Sequence, residues 1–289
     1  MILTQNLAIF RYQPAAALYV AGDDSFVFLQ GQFSNDLRPT QDGVGVYGLW
    51  LNQKGKVLAD SFVVSHERGF LLFSQHSPGA VVRERLEAYV VADDVVIEDA
   101  SAAWSAVTLL HSEAQPQPAL SPVSGYIVPG CEAGVSEWFF PLADSAQVAA
   151  TLTGAVELGA EERERRRIAG GVVAVPQDIG PGELPQEGAL DDWVSHQKGC
   201  YLGQEVMARL RAMGQVRRRI FRLRAPGPVP ARGTALFQSG RQVGEVRSAT
   251  ADGDGFLALG LLSTLHLDST RALSLGSAEA EPAVAFLTA

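Results

Sequence analysis

At 289 residues and 47 % hydrophobic content, the chain is long enough to bury one large core or two to three smaller ones. No apolar run reaches the roughly 18 residues of a membrane-spanning helix, and MILTQNLAIFRYQPAAALYV lacks the pattern of a secretory signal, so a cytoplasmic protein is expected. A net charge of −9 argues against general DNA or RNA binding, and the two cysteines, Cys131 and Cys200, lack metal-ligand spacing, so free thiols and no resident metal are expected.

In chain order, residues 24–33 (DSFVFLQGQF) read as a helix that Asp23 or Asp24 can cap, with Phe26, Leu29 and Phe33 on one face. Gly43, Gly45 and Gly48 spell GxGxxG. Arg38-Pro39-Thr40 precedes them and no helix pattern follows, so no dinucleotide site is expected. LADSFVV and GFLLFSQ form a predicted hairpin about a turn at 66–69. A helix over 80–90, carrying Val81, Val82, Leu86 and Tyr89, and a strand, VVIED, follow it. That order predicts an α+β unit with an antiparallel sheet.

Residues 112–125 read as a loop, Trp138-Phe139-Phe140 as part of a strand, and 160–169 as a charged helix ending at Gly170-Gly171. A Pro/Gly-rich loop, VPQDIGPGELPQEG, leads into KGCYLGQEVMARLRAMG at 198–214. Here Val206, Leu210 and Met213 give one apolar helical stripe, closed by Gly214. From about residue 216, short apolar runs broken by Gly, Pro and Asp-Gly predict a small β-barrel, with a domain boundary near Gly214.

Two features of this last third bear on chemistry. Cys200 stands beside Lys198 and close to a helix N-terminus, a setting that favours a thiolate. Between residues 196 and 224, one lysine and seven arginines oppose Glu205 alone, giving +7 and leaving −16 for the rest. That run is either a solvated basic face or an anion site for a carboxylate, a phosphate or a short stretch of RNA.

The run Lys198-Gly199-Cys200-Tyr201-Leu202-Gly203-Gln204-Glu205 closely resembles the KGCYxGQE signature of YgfZ-type folate-binding proteins. These are relatives of the glycine-cleavage T-protein and of the mitochondrial iron–sulfur assembly factor of the same fold. The resemblance takes in GDDSFVFLQGQFSNDL (22–37), LNQKGKVLADSFVV (51–64), RIAGGVVAVPQDIGPGELPQEGAL (167–190) and the barrel segment 240–246.

It implies a T-protein-like cloverleaf around a central channel, with two α+β lobes and a C-terminal β-barrel. The folate-binding region would be 1–213, as interleaved lobes 1–45 plus 112–213 and 46–111, and the barrel 214–289. It further implies tetrahydrofolate or a one-carbon derivative as cofactor, with Glu187 on the pterin edge. Asn35, Asp36, Gln204 and Glu205 fall among the folate-binding positions, and Cys200, Lys198 and Asp60 among the reactive ones. By their own chemistry Tyr201 is either a stacking partner for a flat ring or a packing residue, and Arg209 either a contact for the anionic tail of folate or part of a solvated face.

Alternation along the strand places Asp60 with Leu58, Phe62 and Val64, an uncomfortable site for an unused charge unless the strand is an edge. The aminomethyl-transferring relatives carry two acids there, where this chain has Ala59-Asp60. Three functions follow as expectations. The first is a folate-dependent factor acting on iron–sulfur clients or assembly proteins; the others are a folate-dependent aminomethyl- or methyltransferase, and an accessory to tRNA-modifying enzymes.

Overall fold

Apolar strands buried on both faces, such as Val46–Leu51, Gly69–Ser74 and Val135–Pro141, are the raw material of the fold. The computed structural model describes residues 7–111, 122–265 and 267–287. In chain order the first elements are β1 (Ala8–Tyr12), β2 (Ala16–Ala21), α1 (Ser25–Gln32), β3 (Val46–Leu51), β4 (Val57–His66), β5 (Gly69–Ser74), α2 (Gly79–Glu87) and β6 (Val96–Asp99). Then come β7 (Trp104–Leu110), β8 (Tyr126–Pro129), β9 (Val135–Pro141), α3 (Ser145–Thr151), β10 (Val156–Glu157) and α4 (Ala160–Gly170). The chain continues through α5 (Gln204–Met213), β11 (Arg218–Pro226), β12 (Ala235–Gln238), β13 (Arg241–Asp252), β14 (Gly255–Ser263), β15 (Ser274–Leu275) and β16 (Ala285–Phe286).

The chain forms two units. The first is Met1–Gly159 with Trp193–Gln204, and the second is Ala160–Asp192 with Glu205–Ala289. Two five-stranded sheets build the first, in the orders β3-β4-β5-β2-β6 and β10-β1-β7-β9-β8. All the pairings are antiparallel except β1 with β10. Period-two alternation sorts their side chains into three layers of core. Phe62, Phe73, Trp104 and Phe139 lie between the sheets, with Phe73 stacked on Phe139 at 4.2 Å. Val20, Ala59, Val63 and Leu72 face the other way and meet Phe28, Leu29, Val82 and Leu86 from α1 and α2. Val107, Leu109, Trp138 and Phe140 pack on Val148 and Leu152 around α3. The result is a helix–sheet–sheet–helix stack.

The second unit is a six-stranded sheet, β15-β12-β13-β14-β11-β16, whose edges meet through the bridge Leu273↔Val284 and close it into a barrel. Leu223, Leu236, Phe256, Ala258 and Leu262 fill it. Leu257 and Leu259, the alternate residues of β14, point outward onto Ile168 of α4.

The predicted elements at 24–33, 80–90, 138–140 and 160–169 correspond to α1, α2, β9 and α4. Asp24 makes no side-chain cap of α1; its carboxylate accepts the Asp94 N–H instead, at 2.8 Å. The predicted loop at 112–125 lies mostly outside the described residues. Of the glycines in the GxGxxG run, Gly43 ends a 3₁₀ turn with φ of 81°, and Gly45 and Gly48 are packing residues. A Cβ on Gly45 would stand 2.2 Å from Val128, and one on Gly48 2.8 Å from the Phe33 ring. The lobes expected at 1–45 plus 112–213 and at 46–111 do not coincide with the sheets: β2 joins β3–β6, while 160–192 folds with the barrel.

Candidate functional site

The segment before α5 belongs to the first unit because a ladder of hydrogen bonds ties it to the end of α1. Ser34 Oγ donates to Trp193 O (2.7 Å), Ser195 N–H to Ser34 O (2.9 Å) and Leu202 N–H to Gly31 O (3.1 Å). Lys198 Nζ donates to Phe33 O (2.6 Å) and Asn35 O (2.7 Å), placing an ammonium on the carbonyl end of α1, where the helix dipole favours it. Gly199 and Gly203 take the positive φ values, 101° and 89°, that let the chain fold tightly between these anchors.

Lys198 and Tyr201 are buried on either side of Cys200, which is exposed. The loop therefore displays one thiol on a fixed base. Lys198 was expected to favour a thiolate at Cys200, and its ammonium hydrogen-bonds inward to the carbonyls of Phe33 and Asn35. Burial brings its pKa down to about 7, a shift that Asp36 opposes and Arg38 reinforces. The ammonium also lies 5.3 Å from the Tyr201 ring centroid. The Tyr201 hydroxyl is buried without a hydrogen-bond partner among the described residues, and burial pushes its pKa up to about 12.

Asn35 and Asp36 sit at this same junction. Asn35 Nδ2 donates to Tyr47 O (2.9 Å), and Asn35 Oδ1 accepts the Asp36 N–H (2.8 Å). Arg38 clamps the Asp36 carboxylate and holds its pKa far below the usual carboxylate range. Tyr47 links the junction to Asp60. Its ring meets Trp193 edge-on at 5.1 Å, and its hydroxyl donates to Asp60 Oδ2 at 2.8 Å.

Asp60 lies on β4, an interior strand, and is 8 % exposed, which removes the edge-strand reading. Ser74 and Ser77 hydroxyls both donate to its Oδ1 at 2.6 Å. Three hydroxyls thus satisfy the buried carboxylate. The thiol of Cys131 sits beside Tyr47; burial, Asp60 and Glu137 raise its pKa well above the ordinary thiol value. Glu137, buried on β9, accepts from Tyr12 Oη and Thr108 Oγ1, both at 2.9 Å. Sequence reasoning passed over Glu137, although a charge inside VSEWFFP is the same signal that singled out Asp60.

Glu187, Glu205 and Arg209 belong to the second unit, and Gln204 ends the first. Glu187 is 5 % exposed, on a 3₁₀ turn; its Oε2 accepts the Leu184 N–H (2.7 Å) and its Oε1 accepts Arg218 Nε–H (2.9 Å). Glu183 stands beside it, accepting Arg247 Nη2 at 3.0 Å. Neither Glu183 nor Arg218 was expected from the sequence. Glu205 and Arg209 lie exposed on α5. Among the described side chains of that helix Met207 is the buried one, whereas Val206 and Leu210 of the expected stripe are half-buried, because the helix packs toward Gln186 and its turn. The basic run divides as well. Arg218, Arg222 and Arg224 are bonded to Glu187, Ala169 O and Asp252, and Arg209, Arg211, Arg217 and Arg219 are exposed.

Two antiparallel sheets with their helices, followed by a β-barrel, define the T-protein-like fold. The model aligns with the crystal structure of glycine cleavage system aminomethyltransferase T from Bartonella henselae at a TM-score of 0.78 and 17 % identity, covering 99 % of this chain and 86 % of that one. Residues 2–115 match the GCVT N-terminal domain, and residues 217–286 match the CAF17 C-terminal beta-barrel domain. The iron-sulfur cluster assembly factor IBA57, mitochondrial, of Homo sapiens is 30 % identical over 281 residues, spanning 88 % of this chain and 77 % of that protein. The tRNA-modifying protein YgfZ of Klebsiella pneumoniae is 26 % identical, spanning 87 % and 83 %. The chain belongs to the IBA57/YgfZ family.

Proposed function

We propose that this chain is a tetrahydrofolate-binding protein that supports iron–sulfur cluster assembly in client proteins, with Cys200 as the group that meets the client. The relatives named for cluster assembly support the cluster half of this reading. One observation carries the thiol half: Cys200 is exposed while Lys198 and Tyr201, on either side, are buried and the loop is bonded to α1.

For the folate, the donor set fits. The pterin edge offers an amino and a ring N–H side by side, and Glu187 is a buried carboxylate whose present partners are both N–H groups. Bound tetrahydrofolate supplies nitrogen atoms able to carry a one-carbon unit. In the second unit Glu187 orients the ring; in the first, Lys198 fixes the loop that presents the Cys200 sulfur.

The transferase reading rests on Asp60. Its three hydroxyl partners hold it in place, and Ala59, where the aminomethyl-transferring relatives carry a second acid, weighs against the transfer. The RNA reading draws on the four exposed arginines and on the name of the YgfZ relative, and steep loss of RNA affinity with salt would be its mark.

The deciding variant is Cys200→Ser. In cells lacking this protein, the wild type should restore the activity of an iron–sulfur enzyme, whereas the serine variant should restore none and still bind tetrahydrofolate with unchanged affinity. Full restoration by the serine variant would remove the thiol from the function.

A further inference from the structure

The guanidinium of Arg218 bridges two acids that both lie on the loop before α5. Its Nε–H meets Glu187 Oε1 at 2.9 Å, and its Nη2 stands 3.5 Å from Glu183 Oε1. The acids are otherwise held by their own backbone. Leu184 N–H bonds Glu187 Oε2 at 2.7 Å, and Gly180 N–H bonds Glu183 Oε2 at 3.3 Å. Glu183 keeps a second cation, Arg247, at 3.0 Å. The carboxylate side chains are 6 % and 9 % exposed, but that of Arg218 is 41 % exposed. The acids thus form a fixed acceptor edge, and Arg218 is a partly solvated arm laid across it.

A guanidinium presents neighbouring N–H groups in one plane. The amino group and ring N–H of a 2-aminopyrimidinone form a donor fork of the same shape. We propose that Arg218 is a resident stand-in for the ligand: its Nε–H occupies Glu187 Oε1, and a ligand with a 2-aminopyrimidinone edge binds by displacing it from that oxygen. This rests on the reading that Glu187 holds the pterin. When Arg218 swings out to water, Glu183 keeps Arg247 as its counter-charge, so only Glu187 needs the incoming donors. Arg218 would then set the threshold affinity and reject ligands that lack the fork.

Titration calorimetry with tetrahydrofolate on the wild type, Arg218→Ala and Arg218→Lys tests this. A closed state that must open first weakens apparent affinity by the open fraction, so Arg218→Ala should bind roughly fivefold or more tightly. Arg218→Lys, which keeps the charge without the fork, should fall between. Equal or weaker binding by Arg218→Ala, with the wild type still binding, would overturn the inference and leave the folate reading standing. If no form binds tetrahydrofolate, the folate reading fails, and methylguanidinium decides the inference alone. It should raise the Tm of Arg218→Ala and leave the wild type and Arg218→Ala/Glu187→Gln unmoved. Absence of that rise would overturn it.

Discussion

Cys200 and Cys131 occupy opposite surroundings. The first is exposed on a loop, while the thiol of the second has its pKa raised by burial first and then by Asp60 and Glu137 nearby. Lys198 anchors the loop that carries Cys200, through hydrogen bonds to Phe33 O and Asn35 O. Its pKa of about 7 lies below the ordinary lysine value, so between pH 7 and 10 the unfolded chain holds a proton that the folded chain has released. Stability therefore rises with pH across that window, by up to about 1.4 kcal/mol per unit from this group. Urea unfolding should show that slope in the wild type and lose it in Lys198→Met; identical slopes would mean that Lys198 titrates normally. The pairing of Lys198 with Cys200 was legible as adjacency, but where a four-carbon stem turns is decided by carbonyls about 165 residues away in sequence. Asp60 was legible because a charge breaks an apolar strand. Its partners Tyr47, Ser74 and Ser77 were not, since the sheet alone brings them together.

At the level of elements, the loop ahead of α5 carries the argument. Gly203 has φ of 89°, and a Cβ there would stand 2.9 Å from Asn52 O and 3.1 Å from Gly55 Cα. Gly199 has φ of 101° with nothing within 4 Å. Gly203→Ala should therefore cost about 2–3 kcal/mol and Gly199→Ala about 1 kcal/mol, because only the first adds a backbone clash to the dihedral strain. Urea unfolding of both variants checks the order, and equal losses would show that the loop is free to shift. Long elements with clear periodicity, such as α2, β4 and β5, were readable from pattern alone. The face of α5 was not: Val206, Leu210 and Met213 make the stronger hydrophobic stripe, yet Met207 is buried, because the polar turn at Gln186 supplies the packing surface. Strands of two residues, β10, β15 and β16, carry no readable period at all.

For the molecule as a whole, the barrel was legible from its Asp-Gly turns and short apolar runs. The membership of 160–192 in the same unit was not. The helix α4 looks like a solvated charged helix, and few apolar residues, Ile168 chief among them, dock it on Leu257 and Leu259. Arg167 adds a buried pair with Asp178 at 2.6 Å, formed by residues that read in sequence as surface charge. That placement puts Glu187 on a segment built into the barrel unit, so the proposed pterin contact is part of a folded network rather than a flexible linker.

The measurement that bears most directly on this account is calorimetric titration of tetrahydrofolate into the wild type and into Glu187→Gln, which keeps the shape and removes one acceptor. Saturable one-site binding to the wild type, weakened about tenfold or more by the glutamine, is the expected result. Equal affinity in the two proteins would contradict it.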